Sequence, residues 1–156
     1  MHLDYEYLCQ NLGHLSGLQT RIYHQSDLTH RYVNVDFDPD LAQLVLARIE
    51  ASPDNICFFT AADALFFGAL KKKDEQVTIV IGPTYRTGLS QERLIAILRL
   101  LGESQDRVNE LDTYLQSVPA YPLENFLQIL CFINYALNNE KMTIAELLAR
   151  EAGLVV

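Results

Sequence analysis

A chain of 156 residues, of which 49% are hydrophobic and 21% charged, has the length and composition of one globular domain, and these values exclude a disordered chain. The formal net charge of −8 repels phosphate backbones, so we expect no direct contact of this chain with nucleic acid. No apolar run approaches transmembrane length and Asp4 and Glu6 interrupt any apolar start, which predicts a cytoplasmic protein with no membrane partner.

The first part of the chain is predicted to hold a helix, two short strands and a second helix. Residues 3–15 place leucines at helical spacing before Ser16-Gly17, where glycine suits a carboxy-terminal cap. Residues 19–25 and 31–37 favour strands, the second more weakly. Asp38-Pro39 is typical of a helix start, and an apolar face follows over residues 41–49.

Three further strands are predicted over residues 56–60, 65–70 and 76–82. The last of them has the β-branched density of a strand that is buried on both faces. Gly82-Pro83 is predicted to end this strand, because proline supplies no N–H to the ladder. The short polar connections permit only hairpins, so the three strands should form an antiparallel meander.

The rest of the chain is predicted to be helical. Ser90 and Ser104 are placed as N-caps, Pro122 opens a long helix, and Thr143-x-x-Glu146 is a capping box before a last helix. The fold class is therefore α+β. It has an amino-terminal helix, an antiparallel sheet built from residues 19–25, 56–60, 65–70 and 76–82, and a carboxy-terminal helical subdomain from Ser90 onward.

The histidines and glycines indicate neither a metal site nor a nucleotide site. No paired spacing with cysteines or carboxylates is found for the four histidines, which are His2, His14, His24 and His30. Gly82-Pro83 with Gly88 matches no phosphate-binding loop. We therefore expect no metal and no cofactor.

Catalysis by a cysteine or a histidine is the alternative to a binding function. Cys9, Cys57 and Cys131 lie in apolar segments with no CxxC pair, which favours buried thiols in a reducing compartment. The alternative is a small cytosolic hydrolase or transferase that uses Cys57 or His24.

A ligand pocket is predicted between the sheet and residues 25–37, since this segment is long, polar and weakly patterned, as a lid would be. Arg86 could hold an anionic ligand and Tyr85 could stack on it, although a tight turn with an exposed arginine fits the same residues. The predicted pocket residues are His24, Tyr32, Phe58, Phe67, Tyr85 and Arg86.

A homodimer is predicted because the long helix is apolar on two sides and one sheet face covers only one of them. The predicted interface residues are Ile129, Phe132, Ile133, Ala136, Leu147 and Leu148. Asn134 is a candidate polar residue that sets the register of the helix pair. In the competing hypothesis the helices over residues 90–101 and 105–117 cover that side within one subunit.

Several of these motifs together resemble a known family. The motifs are Leu8-Cys9-x-x-Leu12-x-x-Leu15-x-Gly17-Leu18, the IGP of residues 81–83, Leu89-Ser90, and Val118-Pro119 leading into PLENFLQILCFINYALNNE. Over nearly its whole length the chain resembles the amino-terminal sensor half of AraC-type transcriptional regulators of Gram-positive bacteria, of the YSIRK-targeted surface-antigen type.

The resemblance implies a GAF- or PAS-like α+β domain, with residues 1–89 as the sensor sheet region and residues 90–156 as its helical part. It also implies a regulatory sensor or dimerisation domain without catalysis. Such a domain transmits the binding of an unknown small molecule or protein partner to a DNA-binding domain. No helix-turn-helix pair is present in this sequence, so no DNA-contacting residue is carried over. A purely structural dimerisation module is a third possibility, and it predicts no pocket.

Overall fold

The computed structural model describes residues 3–32, 39–85 and 89–154. Within them the chain forms six α-helices, which are α1 (Tyr5–Ser16), α2 (Pro39–Ala51), α3 (Gln91–Leu100), α4 (Val108–Gln116), α5 (Leu123–Asn138) and α6 (Ile144–Leu148). The six strands in the same part of the chain are β1 (Thr20–His24), β2 (Asp27–Tyr32), β3 (Ile56–Ala61), β4 (Leu65–Lys72), β5 (Val77–Tyr85) and β6 (Ala152–Leu154).

The strands form one sheet in the order β2-β1-β5-β4-β3-β6. Every neighbouring pair is antiparallel except β3 with the short β6, which is parallel. The expected α+β class with an antiparallel sheet and flanking helices is confirmed, and the predicted strands over 19–25, 56–60, 65–70 and 76–82 correspond to β1, β3, β4 and β5.

Helices cover both faces of the sheet, so the central strands β4 and β5 are buried along nearly their whole length. On one face Phe67, Ala69 and Val80 pack in a core with α2, α3 and α4. On the other face Phe66 and Ile79 pack in a core with α1, α5 and α6. The carboxy-terminal helices are thus divided between the two faces.

Side-chain caps fix several helix starts where the sequence placed them. Ser90 Oγ accepts a hydrogen bond from the N–H of Arg93, and Thr143 Oγ1 accepts one from the N–H of Glu146 at 3.1 Å. Ser104 Oγ accepts from the N–H of Asp106 and caps a short 3-10 turn before α4. Asp38 lies outside the described residues.

The predicted end of the central strand at Gly82 is wrong. β5 continues through a cis Gly82-Pro83 bond to Tyr85, and Thr84 pairs with Phe66 of β4. The β4–β5 register shifts between Phe66 and Gly68, so Pro83, which has no N–H, stands opposite an irregularity in the ladder. Gly82 has a φ of 125°, and a Cβ there would lie 2.9 Å from the carbonyl oxygen of Phe66.

The predicted lid over residues 25–37 is also wrong where the structure describes it. Residues 27–32 form the edge strand β2, which pairs with β1 in the plane of the sheet and covers neither face. The predicted strand over 31–37 contributes only Arg31 and Tyr32, at the end of β2, and residues 33–37 lie outside the described part of the chain.

Helix α5 comes unusually close to strand β4 at Gly68. A Cβ on Gly68 would lie 2.3 Å from Cδ2 of Leu130, whereas a Cβ on Gly153 would meet no atom within 4 Å. The absence of a side chain at residue 68 therefore sets how closely α5 packs on the sheet.

We expect Gly68→Ala to lower the free energy of unfolding by about 1–3 kcal/mol, because the added methyl group must displace Leu130 in a close-packed core. Urea denaturation measures this change. Gly153→Ala is the matched control, and its effect should stay within about 0.5 kcal/mol. Equal stability of Gly68→Ala and the wild type would contradict the close packing of α5 on β4.

Candidate functional site

The structure does not bring the predicted pocket residues together. Phe58 lies in the core with α5 and Phe67 in the core with α2, so the two rings are on opposite faces of the sheet. The register explains this, because Phe67 pairs with Phe59, and paired residues share a face while sequence neighbours alternate. The prediction that Phe58 and Phe67 line one pocket is wrong.

The remaining predicted pocket residues are also dispersed. His24 is exposed and pairs with Asp27 at one end of the β1–β2 ladder, and Tyr32 pairs with Thr20 at the other end. Tyr85 is partly buried and packs against the core that α2, α3 and α4 form with the sheet. Arg86 lies outside the described residues, so its proposed role stays a prediction.

The cysteines are buried and are not activated as nucleophiles. Burial raises the pKa of the Cys57 thiol, and the only side chain that the structure shows hydrogen-bonded to it among the described residues is Ser52, with Oγ and Sγ 3.7 Å apart. Burial likewise raises the pKa of Cys131, and that of Cys9 to about 11. A thiol with a raised pKa is protonated at neutral pH and is a poor nucleophile.

Within residues 3–32, 39–85 and 89–154 no group of three or more histidine, cysteine, aspartate or glutamate side chains is placed to hold a metal ion. In the same ranges no helix has both the length and the apolar character needed to span a membrane.

A polar cleft at one end of the sheet is lined by Lys71, Lys72 and Lys73, but its ammonium groups already have partners. Lys71 Nζ donates to the carbonyl oxygens of Ile49 and Ser52 at the end of α2, and burial lowers its pKa. Lys72 Nζ donates to the carbonyl oxygen of Leu137 in the last turn of α5. Lys73 Nζ donates to the carbonyl oxygen of Pro53 at 3.0 Å. Lys71 and Lys72 thus stabilise helix carboxy termini, which is an ordinary structural role.

An open apolar groove lies between α1 and α5, with a volume of about 650 Å³. It has apolar walls with a few neutral polar side chains. Its lining residues are Leu8, Asn11, Leu12, Leu15, Ser16, Tyr121, Asn125, Gln128, Ile129, Phe132 and Ile133. None of these side chains carries a formal charge at neutral pH.

The sheet keeps the two helices apart and so creates this groove. Helix α1 lies mainly over β1 and β2, and α5 lies mainly over β3 and β4, with β5 between the two pairs. The centre of the β1–β2 pair and the centre of the β3–β4 pair are three strand spacings apart, which is about 14 Å, whereas closely packed helices lie about 8–10 Å apart. The helix axes are therefore too far apart for the helices to interdigitate along their outer sides.

One end of the groove is fixed by hydrogen bonds to the sheet. The fully buried Thr84 donates through Oγ1 to the carbonyl oxygen of Pro119 at 2.8 Å and accepts from the N–H of Tyr121 at 3.0 Å. The hydroxyl group of Tyr121 in turn donates to the carbonyl oxygen of Ser16 at the end of α1. These bonds connect the start of α5 to the end of α1.

The residues of the predicted dimer interface differ in their exposure, and the interface itself stays a prediction. Ile129, Phe132 and Ile133 line the groove and Phe132 is 66% exposed, but Ile133 is only 3% exposed. Leu147 is fully buried in the core of its own subunit, whereas Ala136 and Leu148 are exposed. Ile133 and Leu147 therefore stabilise the subunit itself.

Two further predictions about the long helix are wrong. Asn134 is buried and donates to Glu140 Oε1 at 3.0 Å, and its Oδ1 accepts from Asn138 Nδ2 at 2.9 Å, so it belongs to a network within the subunit. The helices over residues 90–101 and 105–117 do not cover the second side of α5, because α3 and α4 pack on the opposite face of the sheet.

The α1 wall of the groove was missed by sequence reasoning. Leu8, Leu12 and Leu15 have the helical spacing of an ordinary core-facing stripe, yet Leu15 is 88% exposed. The pattern alone could not reveal this, because the exposure depends on how far α5 lies from α1.

No family model, no curated protein and no solved structure matches this chain.

Thiol reactivity tests whether any cysteine is activated. At pH 8 a thiol with a pKa of about 11 is ionised in roughly one molecule in a thousand. An aromatic disulfide reagent should therefore modify the folded protein at least about tenfold more slowly than the urea-unfolded protein. For Cys9 the rate should rise as the pH approaches 11, because the raised pKa keeps the thiol protonated below that value.

The matched variant for this measurement is Cys57→Ser. Rapid modification of one thiol at pH 8 that disappears in Cys57→Ser would contradict the expectation and favour the enzyme alternative.

Proposed function

We propose that this chain is a regulatory sensor domain of a transcriptional regulator, and that it acts by binding and not by catalysis. The groove between α1 and α5 is its binding site, and occupation of the groove is transmitted through the helices to a DNA-binding domain of the same regulator. The observation that carries the proposal is the chemistry of the groove, which is apolar and uncharged.

The groove separates a binding function from a catalytic one. An enzyme site brings titratable groups together in one cleft, whereas a binding site is mainly apolar with a few polar groups that orient the occupant. Among the groove residues the polar side chains are Asn11, Ser16, Tyr121, Asn125 and Gln128, and none of them is a general base at neutral pH.

The position of the groove favours signal transmission. Helix α5 forms one wall, and the carboxy-terminal elements α6 and β6 follow it in the chain. Leu147 of α6 is fully buried in the core that α5 shares with the sheet, so a movement of α5 would be passed on to α6. The motif resemblance to AraC-type sensor domains agrees with this arrangement.

The enzyme alternative depends on Cys57 or His24. The pKa of Cys57 is raised by burial, and His24 is exposed at the end of β1. Both residues lie outside the groove, which allows the two hypotheses to be tested with separate variants.

A reporter experiment tests the proposal. The chain is fused in front of a helix-turn-helix DNA-binding domain, and expression of a reporter gene is measured in cells. Leu15→Glu places a charge in the groove at an exposed position and should change reporter output about fivefold or more at equal protein level. Cys57→Ser and His24→Ala are the controls and should leave the output unchanged. Output that follows Cys57 or His24 but not Leu15 would overturn the proposal.

A further inference from the structure

We propose that the occupant of the groove is the same surface of a second copy of this chain, so that α1 and α5 of two subunits form a two-fold symmetric interface. This inference rests on the proposed function, since it names the partner that the groove binds. We call this surface the α1–α5 face, and we define it as the groove residues together with the exposed side chains Tyr7 and Tyr135 beside them.

Exposed apolar side chains are concentrated on this face. The described residues include six large hydrophobic side chains that are exposed, and four of them, Tyr7, Leu15, Phe132 and Tyr135, lie on α1 or α5. Tyr7 stands two turns before Leu15 on α1, and Tyr135 stands one turn after Phe132 on α5. Tyr7 and Leu15 lie about 80° apart around α1, so each helix presents separate protruding apolar side chains, which we call its ridge.

The height of the ridges favours a protein surface over a small molecule. Sites for small molecules bury about 70–90% of their ligand within a cleft. Leu15 and Phe132 protrude, with 88% and 66% of their surface exposed, so a small molecule in the groove would leave their outer surfaces in water. A protein surface laid across both ridges would cover them.

The area of the face is of the right order for a dimer. The four exposed side chains together present roughly 500 Å² of surface, and the walls of the groove add to it. A standard interface buries about 800 Å² on each partner. The largest apolar patch of a typical monomer is about 300–600 Å² and is often functional, and the groove walls extend this face beyond its four exposed side chains.

The distribution of charge permits a second copy as the partner. The chain has a net charge of −8, so two copies repel each other unless they meet where carboxylates are absent. Of the chain's twenty acidic residues only Glu6 and Glu124 lie on α1 and α5, and neither helix contains lysine or arginine. Glu6 Oε1 is directed towards β2, where it lies 3.0 Å from Nε2 of His30. A cationic partner would find no paired charge on this face, whereas an identical neutral face is complementary to it.

The shape of the face permits self-pairing. A two-fold interface requires that the same patch supplies both the protruding and the receiving parts. The α1–α5 face has both, because Phe132 and Leu15 protrude beside a groove of about 650 Å³. In the dimer Phe132 of each subunit enters the groove of the other subunit, so the same contact is made twice.

Sedimentation over a range of protein concentrations tests this inference. We expect the wild type to be in a monomer–dimer equilibrium, and Phe132→Glu to weaken the dimer at least about thirtyfold, because two charges per dimer are buried in an apolar contact. Leu15→Glu should weaken it in the same direction. Leu28→Glu, on the exposed edge strand β2, is the matched control and should leave the equilibrium unchanged. Circular dichroism should show that each variant is folded, because the substituted positions are exposed.

Two sedimentation results would overturn the proposed interface. A dimer that persists unchanged in both Phe132→Glu and Leu15→Glu overturns this interface. A wild type that stays monomeric at about 0.5 mM also overturns it, since a patch of this size should associate by then. If native mass spectrometry then shows a retained apolar molecule, the groove remains a sensor site and only the dimer is lost. Reporter output that ignores Leu15→Glu, by contrast, overturns the proposed function itself.

Discussion

The burial of β4 and β5 on both faces is the constraint on which the rest of the structure depends. Both strands are apolar on their upper and lower sides, so neither side tolerates water and each must be covered by helices. One face receives α2, α3 and α4, and the other receives α1, α5 and the short α6. The two covers are unequal, and the open groove lies on the side where only two full-length helices share the sheet.

Local signals in the sequence determined much of this fold. The β-branched run before Gly82 predicted a doubly buried strand, and Ser90 and Thr143 marked helix starts through the hydrogen bonds that their hydroxyl groups accept. The Gly-Pro pair was misleading, because proline ends a regular ladder but is tolerated opposite a shift of register. That shift depends on the partner strand β4, which the local sequence around Pro83 does not contain.

The candidate site was less predictable than the fold, for reasons of register and distance. Phe58 and Phe67 were assigned to one pocket, but Phe67 pairs with Phe59 and shares a face with it. Phe58, the sequence neighbour of Phe59, therefore lies on the other face of the sheet. Asn134 has the pattern of a polar residue in a helix interface, yet its partners Asn138 and Glu140 follow it in the same subunit. Leu12 and Leu15 share one helical spacing, and only the distance to α5 leaves the second in water.

The same geometry explains why the groove cannot be closed from within the described part of the chain. Gly68 holds α5 against β4, and the bonds of Thr84 and Tyr121 hold its start beside the end of α1, so these contacts oppose a shift of the whole of α5 across the sheet towards α1. Moving it across one strand spacing, about 4.8 Å, would pull Leu130 off Gly68 and expose the apolar surface of β3. Closing the groove in this way would therefore expose apolar surface that is now buried. An occupant from outside the subunit covers Leu15 and Phe132 without disturbing the core, and an uncharged occupant suits walls that offer no charge to pair with.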